Sequence, residues 1–498
     1  MFEDRIRRAD LRARITTAAD AAQLVRNGMR VGASGFTRAG DVKAVPLEIA
    51  RRARDESEPL RITLMTGASL GNDTDGILTQ SGALERRLPF QVDATLRRAI
   101  NRGEVMFVDQ HLSETVELLR DNRLGKLDIA IIEAVAITES GGIVPTTSVG
   151  NSATFATLAE KVIVEINLAQ PLALEGLHDI WSPKPRPARG PLPIIHARDR
   201  IGATCIDIAP DKIAAIVVTD QPDSSSNVLP ADQDTALIAG HLVEFFQHEV
   251  SRGRMPKRLP PLQAGIGTIA NAVLSGFAAS PFDALTLYSE VLQDSAFDLF
   301  DAGKLEFASG ASMTLSAKRH EQVLRDIDRY RERLVLRPQE LSNHPEVIRR
   351  LGLIAINTAL EADIYGNVNS THVGGTHMMN GIGGSGDFAR NAAYAVFATK
   401  SVAKDGRISS IVPMVSHCDH NEHDVDVIVT ERGLANLTGL APRERASAII
   451  ERCAHPSYRD VLRDYFREAS ALGGHTPHRL DQAFALHALY AKTGSMLG

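Results

Sequence analysis

The stretch LQAGIGTIANAVLSGF (Leu262–Phe277) contains, in order, a short apolar segment, a glycine turn and an apolar helical pattern. Gly265, Gly267 and Ala270 fit the spacing G-x-G-x-x-A. Such a turn brings backbone amides to the N-terminus of a helix, where they can bind an anion or an oxyanion. The stretch therefore predicts a strand, a ligand-facing turn and a helix, which is the repeating unit of an α/β fold.

The same alternation recurs before this stretch. Segments rich in Val and Ile predict strands at Met29–Gly35, Arg61–Thr66, Glu104–Asp109, Lys126–Ile137, Lys161–Asn167 and Lys212–Thr219. Helical patterns lie between several of them, as at Val45–Asp55 and Leu112–Asn122. Strands that are apolar on both faces and separated by helices are typical of a parallel sheet covered by helices.

The second half repeats the pattern. Strands are predicted at Leu262–Ile266, Leu285–Tyr288, Ile354–Asn357, Ile408–Val412 and Asp426–Thr430. Helices are predicted at Thr235–Arg252, Ile269–Phe277, Lys318–Arg333, Pro345–Leu351, Ala389–Ala403 and Pro442–Cys453, with a helical tail from Pro456. We therefore expect an α/β protein with two similar domains, at 1–220 and 221–498, joined near the polar stretch Asp220–Asp234.

Composition excludes several classes of protein. The 498 residues are 44% hydrophobic and 23% charged, with a net charge of −6, so neither a disordered chain nor a basic nucleic-acid surface is expected. No apolar run is long enough to span a membrane, and the Arg-rich start contains acidic residues and no apolar core. Three scattered cysteines suit a reducing compartment. We expect a cytoplasmic protein with no nucleic-acid or membrane partner.

Glu290 directly follows a predicted strand, in YSEVLQD. A carboxylate there could act as a base, a metal ligand or a nucleophile that forms an acyl anhydride. It also lies 20 residues after Ala270, where a dinucleotide-binding unit has its ribose-binding acid. A dinucleotide-dependent oxidoreductase is therefore one alternative, and an ordinary strand–turn–helix unit is another.

Other segments contain candidate groups whose patterns are less specific. Asn343 could cap the helix that begins at Pro345, or its amide could orient a reacting carboxylate. The glycines clustered at 381–386 would let the backbone approach a ligand, and no P-loop motif accompanies them. Glu431 ends a predicted strand, and Lys404 could contact a phosphate. Histidines 417, 420 and 423 suggest a metal site, but a polar loop is the better interpretation and we expect no metal.

Taken together, several ordered motifs resemble the acetyl-CoA hydrolase/transferase family of class I CoA-transferases. They are AGIGTIANAVL, YSEVLQD, RPQELSNHPEVIRRLG, DIYGNVNSTH, NGIGGSGDFARNA and VTERGLANL, with GFTRAGDVKAVP and VPTTSVGNS in the first half. The resemblance covers nearly the whole chain. It implies two open-sheet domains of the CoA-transferase type and a homodimer.

The resemblance also implies roles for individual residues. Glu290 would be the nucleophile that forms an acyl–glutamyl anhydride and then a glutamyl-CoA thioester. Ile266 and Gly384 would supply oxyanion-hole amides, and Asn343 and Glu431 would orient the reacting groups. The residues implied to contact CoA are Gly265, Ile266, Gly267, Thr268, Ile269, Leu360, Asn380, Gly384 and Lys404.

The implied activity is CoA transfer between short-chain acids such as succinate, acetate and propionate, with no cofactor beyond CoA as substrate. One departure bears on the acid: family members that exchange succinyl-CoA with acetate carry an arginine where this chain has Ser224, after Pro222 and Asp223. A hydrolase on the same scaffold is the main alternative, and a CoA-binding sensor without turnover is a remote one.

Overall fold

The computed structural model describes residues 4–55, 59–71, 73–187, 189–226 and 231–497. The chain forms two compact units, and each is discontinuous in sequence. The first unit comprises Met1–Asn227, Thr286–Phe297 and Glu306–Leu351, and the second comprises Val228–Leu285, Asp298–Leu305 and Gly352–Gly498.

The strands are short, and most carry buried side chains. In chain order they are β1 Arg30–Ala33, β2 Ile62–Met65, β3 Leu84–Leu88, β4 Met106–Phe107, β5 Ile129–Ala134, β6 Ala136–Ile137, β7 Ile143–Val144, β8 Lys161–Asn167, β9 Ile213–Thr219, β10 Leu262–Ala264, β11 Leu285–Tyr288, β12 Val291–Leu292, β13 Leu305–Gly310, β14 Ser312–Met313, β15 Leu334–Leu336, β16 Ile354–Thr358, β17 Glu361–Asp363, β18 Val368–Asn369, β19 His372–Val373, β20 His377–Met378, β21 Tyr394–Ala398, β22 Val402–Ala403, β23 Ile408–Ser409, β24 Ile411–Val412, β25 Val427–Thr430 and β26 Gly433–Asn436.

The α-helices follow the strands in alternation over most of the chain. They are α1 Ala18–Ala22, α2 Val45–Asp55, α3 Thr74–Gln80, α4 Ala94–Asn101, α5 Glu114–Arg120, α6 Ser152–Leu158, α7 Gln233–Ser251, α8 Thr268–Gly276, α9 Asp294–Asp301, α10 Ala317–Arg325, α11 Gln339–Ser342, α12 Pro345–Leu351, α13 Ser385–Ala389, α14 Pro442–Cys453, α15 Pro456–Ala471 and α16 Ala485–Thr493. No helix among the described residues is long and apolar enough to cross a bilayer.

The first unit is built on a seven-stranded parallel sheet with the order β4-β3-β2-β1-β5-β8-β9. The central pairing aligns Gly32 of β1 with Ala130 of β5. Every residue of β5 is buried, because helices cover both faces of the sheet. Ile129 and Ile131 pack into one apolar cluster with α2 and α4, and the alternate residues Ala130 and Ile132 pack into another with α6.

A smaller group of strands completes the first unit. β15, β13 and β11 are neighbours in that order, and β13 and β15 run parallel, with Ala308 opposite Leu334. β12 and β14 form a separate parallel pair, in which Val291 is opposite Ser312. These strands carry the segment on either side of Glu290.

The second unit contains the sheet order β10-β16-β21-β25-β26, in which only the last pairing is antiparallel. Ala395 and Phe397 of β21 join an apolar cluster with α14 and α15. α7 packs on β25, and α8 packs on β10 and β16. The tail from Pro456 is helical, as predicted, and Tyr458 and Leu462 of α15 belong to this core.

The predicted fold class, α/β with mostly parallel strands and helices on both faces, is confirmed. The predicted helix Ala389–Ala403 is wrong: α13 ends at Ala389, and β21 and β22 follow. Alanines give this segment a helical appearance, but Tyr394–Ala398 completes a parallel sheet between β16 and β25. The predicted strand Ile408–Val412 is two short strands that pair with different partners.

The boundary between domains 1–220 and 221–498 stays a prediction. All seven strands of the first sheet lie before residue 220. The first compact unit, however, also contains the later segments Thr286–Phe297 and Glu306–Leu351. Part of the predicted linker Asp220–Asp234 lies outside the described residues. Of the rest, Asp223 belongs to the first unit and its side chain is buried, and Asp232 caps α7 through a hydrogen bond from the Thr235 amide.

Candidate active site

Glu290 lies in the first unit between β11 and β12, and its backbone is firmly held. Its carbonyl oxygen accepts hydrogen bonds from the amides of Ala311, at 2.7 Å, and Ser312, at 3.1 Å. The residue is only 6% exposed. Burial of a carboxyl group among apolar strands disfavours its ionised form, so the surroundings of Glu290 shape its chemistry.

Asn343 is in direct contact with Glu290. Its amide Nδ2 donates to Glu290 Oε2 over 2.9 Å, although the two residues are 53 positions apart in the chain. Burial raises the pKa of the Glu290 carboxyl to about 7, and the hydrogen bond from Asn343 lowers it part of the way back. A desolvated carboxylate with a single oriented donor is suited to nucleophilic attack.

The motif RPQELSN is held by buried polar contacts that position Asn343. The backbone amide of Asn343 donates to the Gln339 backbone carbonyl over 2.7 Å, and Gln339 Nε2 donates to the Leu112 backbone carbonyl over 2.9 Å. Tyr288 Oη donates to the Leu341 carbonyl over 2.6 Å. Arg337 is fully buried and forms an ion pair with Asp179. Most of the motif therefore supports the Glu290–Asn343 pair.

Turns of the first half, within GFTRAGDVKAVP and VPTTSVGNS, contact the strand next to Glu290. Thr37 Oγ1, after β1, lies 2.5 Å from Thr314 Oγ1 and 3.2 Å from Ser312 Oγ. The amide of Met313 donates to the carbonyl of Thr147 over 2.9 Å. Phe36 packs in a small apolar cluster that includes Val291. These turns thus lie close to the residues flanking Glu290.

A buried charge cluster in the same turns was missed by the sequence analysis. Lys43 Nζ lies 2.6 Å from Glu133 Oε2, 2.9 Å from Asp223 Oδ1 and 3.4 Å from Asp41 Oδ1. Burial would lower the pKa of Lys43, but the three carboxyl groups raise it. A glutamate within the apolar strand β5 was the available signal, because a buried charge needs a partner.

The cluster fixes the position of the segment that leads to Ser224. Burial alone would raise the pKa of Asp223, but the charge of Lys43, the nearby His320 ring and the hydrogen bond from Thr147 lower it. Thr147 Oγ1 donates to Asp223 Oδ2. The Asp223 carboxylate is therefore paired with Lys43 and hydrogen-bonded to Thr147.

The remaining predicted residues lie in the second unit, after the carboxyl ends of neighbouring parallel strands. Gly265–Ile269 follows β10, and Gly267 has φ +121°, a conformation that favours glycine. Ile266 and Gly384 are the two predicted oxyanion donors, and neither amide has a hydrogen-bond acceptor in the part of the chain described. An amide without an acceptor is available to bind a ligand.

The residues after the next strands are placed as follows. Leu360 follows β16 and is 39% exposed, and Asn380 has a buried Oδ1 that lacks a partner among the described residues. Lys404 is exposed in the turn between β22 and β23, with φ +52°. Glu431 follows β25, and Ser401 donates to it through both its amide, over 2.8 Å, and its hydroxyl. Burial would raise the pKa of Glu431, but these donors lower it.

The histidine motif forms a polar scaffold. His420 Nε2 lies 3.1 Å from Ser385 Oγ, while the ring of His417 lies 3.8 Å from that of His372. Asp419 Oδ2 accepts from the amide of Ser370 over 2.7 Å, which ties this loop to the STH turn of DIYGNVNSTH. In the described ranges, no group of three His, Cys, Asp or Glu side chains is arranged to hold a metal ion.

The comparisons with known proteins agree with the motifs. Residues 1–218 match the acetyl-CoA hydrolase/transferase N-terminal domain, and residues 320–466 match the C-terminal domain. The chain is 51% identical over 99% of its length to a succinyl-CoA:acetate CoA-transferase of Clostridium kluyveri, with 92% of that protein covered. It is 45% identical to a propanoyl-CoA:succinate CoA transferase of Escherichia coli, over 97% of this chain and 98% of that protein.

More distant structures share the fold. A RipA structure from Yersinia pestis matches with a TM-score of 0.72 at 22% identity, covering 93% of this chain and 98% of that one.

An acetyl-CoA hydrolase of Schizosaccharomyces pombe is 46% identical over 100% of this chain and 98% of that protein. With two family domains matched in order and relatives similar along the whole chain, this protein belongs to the acetyl-CoA hydrolase/transferase family.

Proposed function

We propose that this protein transfers CoA between short-chain carboxylic acids, with Glu290 as the nucleophile. The observation that carries the proposal is the buried Glu290 carboxyl, whose pKa is raised to about 7 and whose Oε2 accepts a hydrogen bond from Asn343. The names of the relatives from Clostridium kluyveri and Escherichia coli support CoA transfer as the reaction class.

The reaction would proceed through two covalent intermediates. A Glu290 carboxylate oxygen attacks the thioester carbonyl of acyl-CoA, which gives an acyl–glutamyl anhydride and CoA thiolate. The thiolate then attacks the glutamyl carbonyl, which releases the first acid as a carboxylate and leaves a glutamyl-CoA thioester. A second carboxylate reverses both steps, so that CoA leaves on the new acid and the Glu290 carboxylate is regenerated.

The surroundings of Glu290 support each part of this scheme. Burial strips water from the carboxylate and makes it a stronger nucleophile, and the hydrogen bond from Asn343 keeps an ionised fraction present near neutral pH. The amides of Ile266 and Gly384 are our candidates for the oxyanion hole. Removing one such donor typically costs about 10²- to 10³-fold in rate.

Hydrolysis is the second candidate, because the relative from Schizosaccharomyces pombe is named an acetyl-CoA hydrolase. Water would attack the same anhydride or thioester in place of the second acid. The difference between the two reactions therefore lies in how well water is excluded once Glu290 carries an acyl group or CoA. The homodimer and the cytoplasmic location stay predictions.

The experiment incubates the purified protein with propionyl-CoA and acetate in which both oxygens are ¹⁸O. In the proposed mechanism each turnover leaves one ¹⁸O in acetyl-CoA and one in the Glu290 carboxyl group. Mass spectrometry of acyl-CoA species and of the peptide containing Glu290 measures both labels. Glu290→Gln should lose transfer and labelling, and the matched control Glu306→Gln, at an exposed position on β13, should retain them.

The possible outcomes separate the candidates. New acetyl-CoA with labelled Glu290 supports transfer. Free CoA that forms equally fast with and without acetate indicates the hydrolase. CoA binding without any turnover would refute an enzyme of this class and favour a sensor, and transfer that persists in Glu290→Gln would refute Glu290 as the nucleophile.

A further inference from the structure

Two cavities of the first unit share Arg38 and Ser224 in their walls. The larger, about 430 Å³, is also lined by Asp223, Thr314 and His320. The smaller, about 240 Å³, is also lined by Gly71 and by Asp73, Asp75 and Asp93. Asp75 is paired with Arg87, and Asp93 caps α4. Arg38 and Ser224 therefore stand between two spaces that a small ligand could enter.

The backbone of Arg38, whose residue lines both cavities, is held by a hydrogen bond. The residue has φ +73°, an uncommon conformation for a side chain other than glycine, and its amide donates to the Ser69 carbonyl over 3.1 Å. Ser224 lies against the same turn, because a Cβ added to Gly71 would lie 1.9 Å from Ser224 Oγ. The two residues thus flank one turn.

The guanidinium group of Arg38 has no ionic partner among the residues that the structure describes. It is half-buried, and no carboxylate of the described chain lies within salt-bridge distance of it. The nearby Asp223 is engaged by Lys43 at 2.9 Å and by Thr147. A partly desolvated arginine with a free planar face is suited to bind a carboxylate through two parallel hydrogen bonds.

The larger cavity borders β14, the strand that pairs with the segment after Glu290. Its wall includes Met313 of β14 and the following Thr314. β14 is hydrogen-bonded to β12, which starts directly after Glu290, with Val291 opposite Ser312. One wall of the cavity is thus connected to the Glu290 segment through the β12–β14 strand pair.

From these observations, and resting on the proposed function, we propose that Arg38 is a specificity-determining residue that binds the second carboxylate of a short dicarboxylic acid. The reacting carboxylate of such an acid would be at Glu290 while its distal carboxylate pairs with the Arg38 guanidinium. A monocarboxylic acid of similar length has no group for this contact, so the protein would favour the dicarboxylic acid.

The test compares succinate with succinamate, which has the same length but an amide in place of the second carboxylate. With propionyl-CoA as donor, the kcat/KM of the wild-type protein should be about 10- to 100-fold higher for succinate, as expected for hydrogen bonds to charged groups. Arg38→Met should bring this ratio close to one, and Arg38→Lys, which keeps the charge without the fork geometry, should give an intermediate ratio. The matched control Arg26→Met lines neither cavity and should keep the wild-type ratio.

The role of Arg38 is overturned if the wild-type protein has a kcat/KM ratio of succinate to succinamate near one. It is also overturned if Arg38→Met keeps the wild-type ratio, or if that variant loses kcat/KM equally for both acids. If Arg38→Met fails to fold, the wild-type ratio and Arg38→Lys decide. Absence of transfer from propionyl-CoA to any acid, together with no CoA adduct on Glu290, would instead refute the proposed function. A wild-type protein that transfers CoA but does not discriminate would refute only this inference.

Discussion

Replacing Glu290 by glutamine should stabilise the folded protein above pH 7. The ordinary carboxyl pKa is 4.5, and burial raises that of Glu290 to about 7. Between these values the unfolded chain has released its proton while the folded protein retains it. The free energy of unfolding of the wild type therefore falls as the pH rises from 4.5 to about 7. Glutamine is neutral in both states and avoids this loss.

The magnitude follows from the same values. At 1.36 kcal/mol per pH unit, the difference between 4.5 and about 7 corresponds to about 3 kcal/mol at pH 8. The carbonyl oxygen of the introduced glutamine could still accept the hydrogen bond from Asn343, so no buried donor loses its partner. Below pH 4.5 the stabilities of the two proteins should converge, because the wild-type carboxyl is then protonated in both states.

Urea titrations at about pH 4 and about pH 8, followed by far-UV circular dichroism, would measure the difference. Glu340→Gln is the matched control, because Glu340 is similarly buried but forms an ion pair with Arg120 at 2.6 Å. That variant should be destabilised, since the arginine loses its partner. A Glu290→Gln protein that is no more stable than wild type at the higher pH would contradict the reasoning that Glu290 is kept protonated by burial.

Three further predictions address other parts of the molecule. Asn343→Ala removes a hydrogen bond to a charged group worth roughly 1.5–3 kcal/mol, so the acidic limb of the pH–rate profile for transfer should rise by about 1 to 2 pH units. Gly267→Ala places a side chain at φ +121° at a cost of roughly 1–3 kcal/mol, and the kcat/KM for acyl-CoA should fall about tenfold or more. Asp179→Asn leaves Arg337 as an uncompensated buried cation, and urea titration should show a loss of about 3–5 kcal/mol.

Matched variants serve as controls for the first two. Asn151→Ala removes another buried amide, which donates to the Thr66 carbonyl and not to Glu290, and the acidic limb should not move. Gly240→Ala adds a methyl group to α7, where nothing lies within 4 Å, and should leave kcat/KM unchanged. Equal shifts in the paired variants would show general damage to the fold. A loss below about 1 kcal/mol in Asp179→Asn would contradict the importance of its ion pair.

Motifs predicted which residues belong to the candidate site, but not the contacts between them. YSEVLQD and RPQELSN both indicated site residues, and the structure shows that Glu290 and Asn343 of these motifs touch. Nothing in the spacing of the two motifs predicts that contact, because it arises when β11 and the segment after β15 are brought together in the fold. The hydrogen-bond partners of RPQELSN, such as the backbone carbonyl of Leu112, are equally remote in sequence.

The sequence by itself determined the α/β class, the succession of most strands and helices, and the family, because apolar periodicity and turn residues are local signals. Only the tertiary structure decided that Tyr394–Ala398 is a central strand, since its alanines are equally compatible with a helix. It also decided that Lys43 meets Glu133 and Asp223, and that Arg38 faces a cavity without an ionic partner among the described residues. Lys43 acquires Glu133 and Asp223 as partners only when distant segments meet, and burial then sets the strength of those contacts.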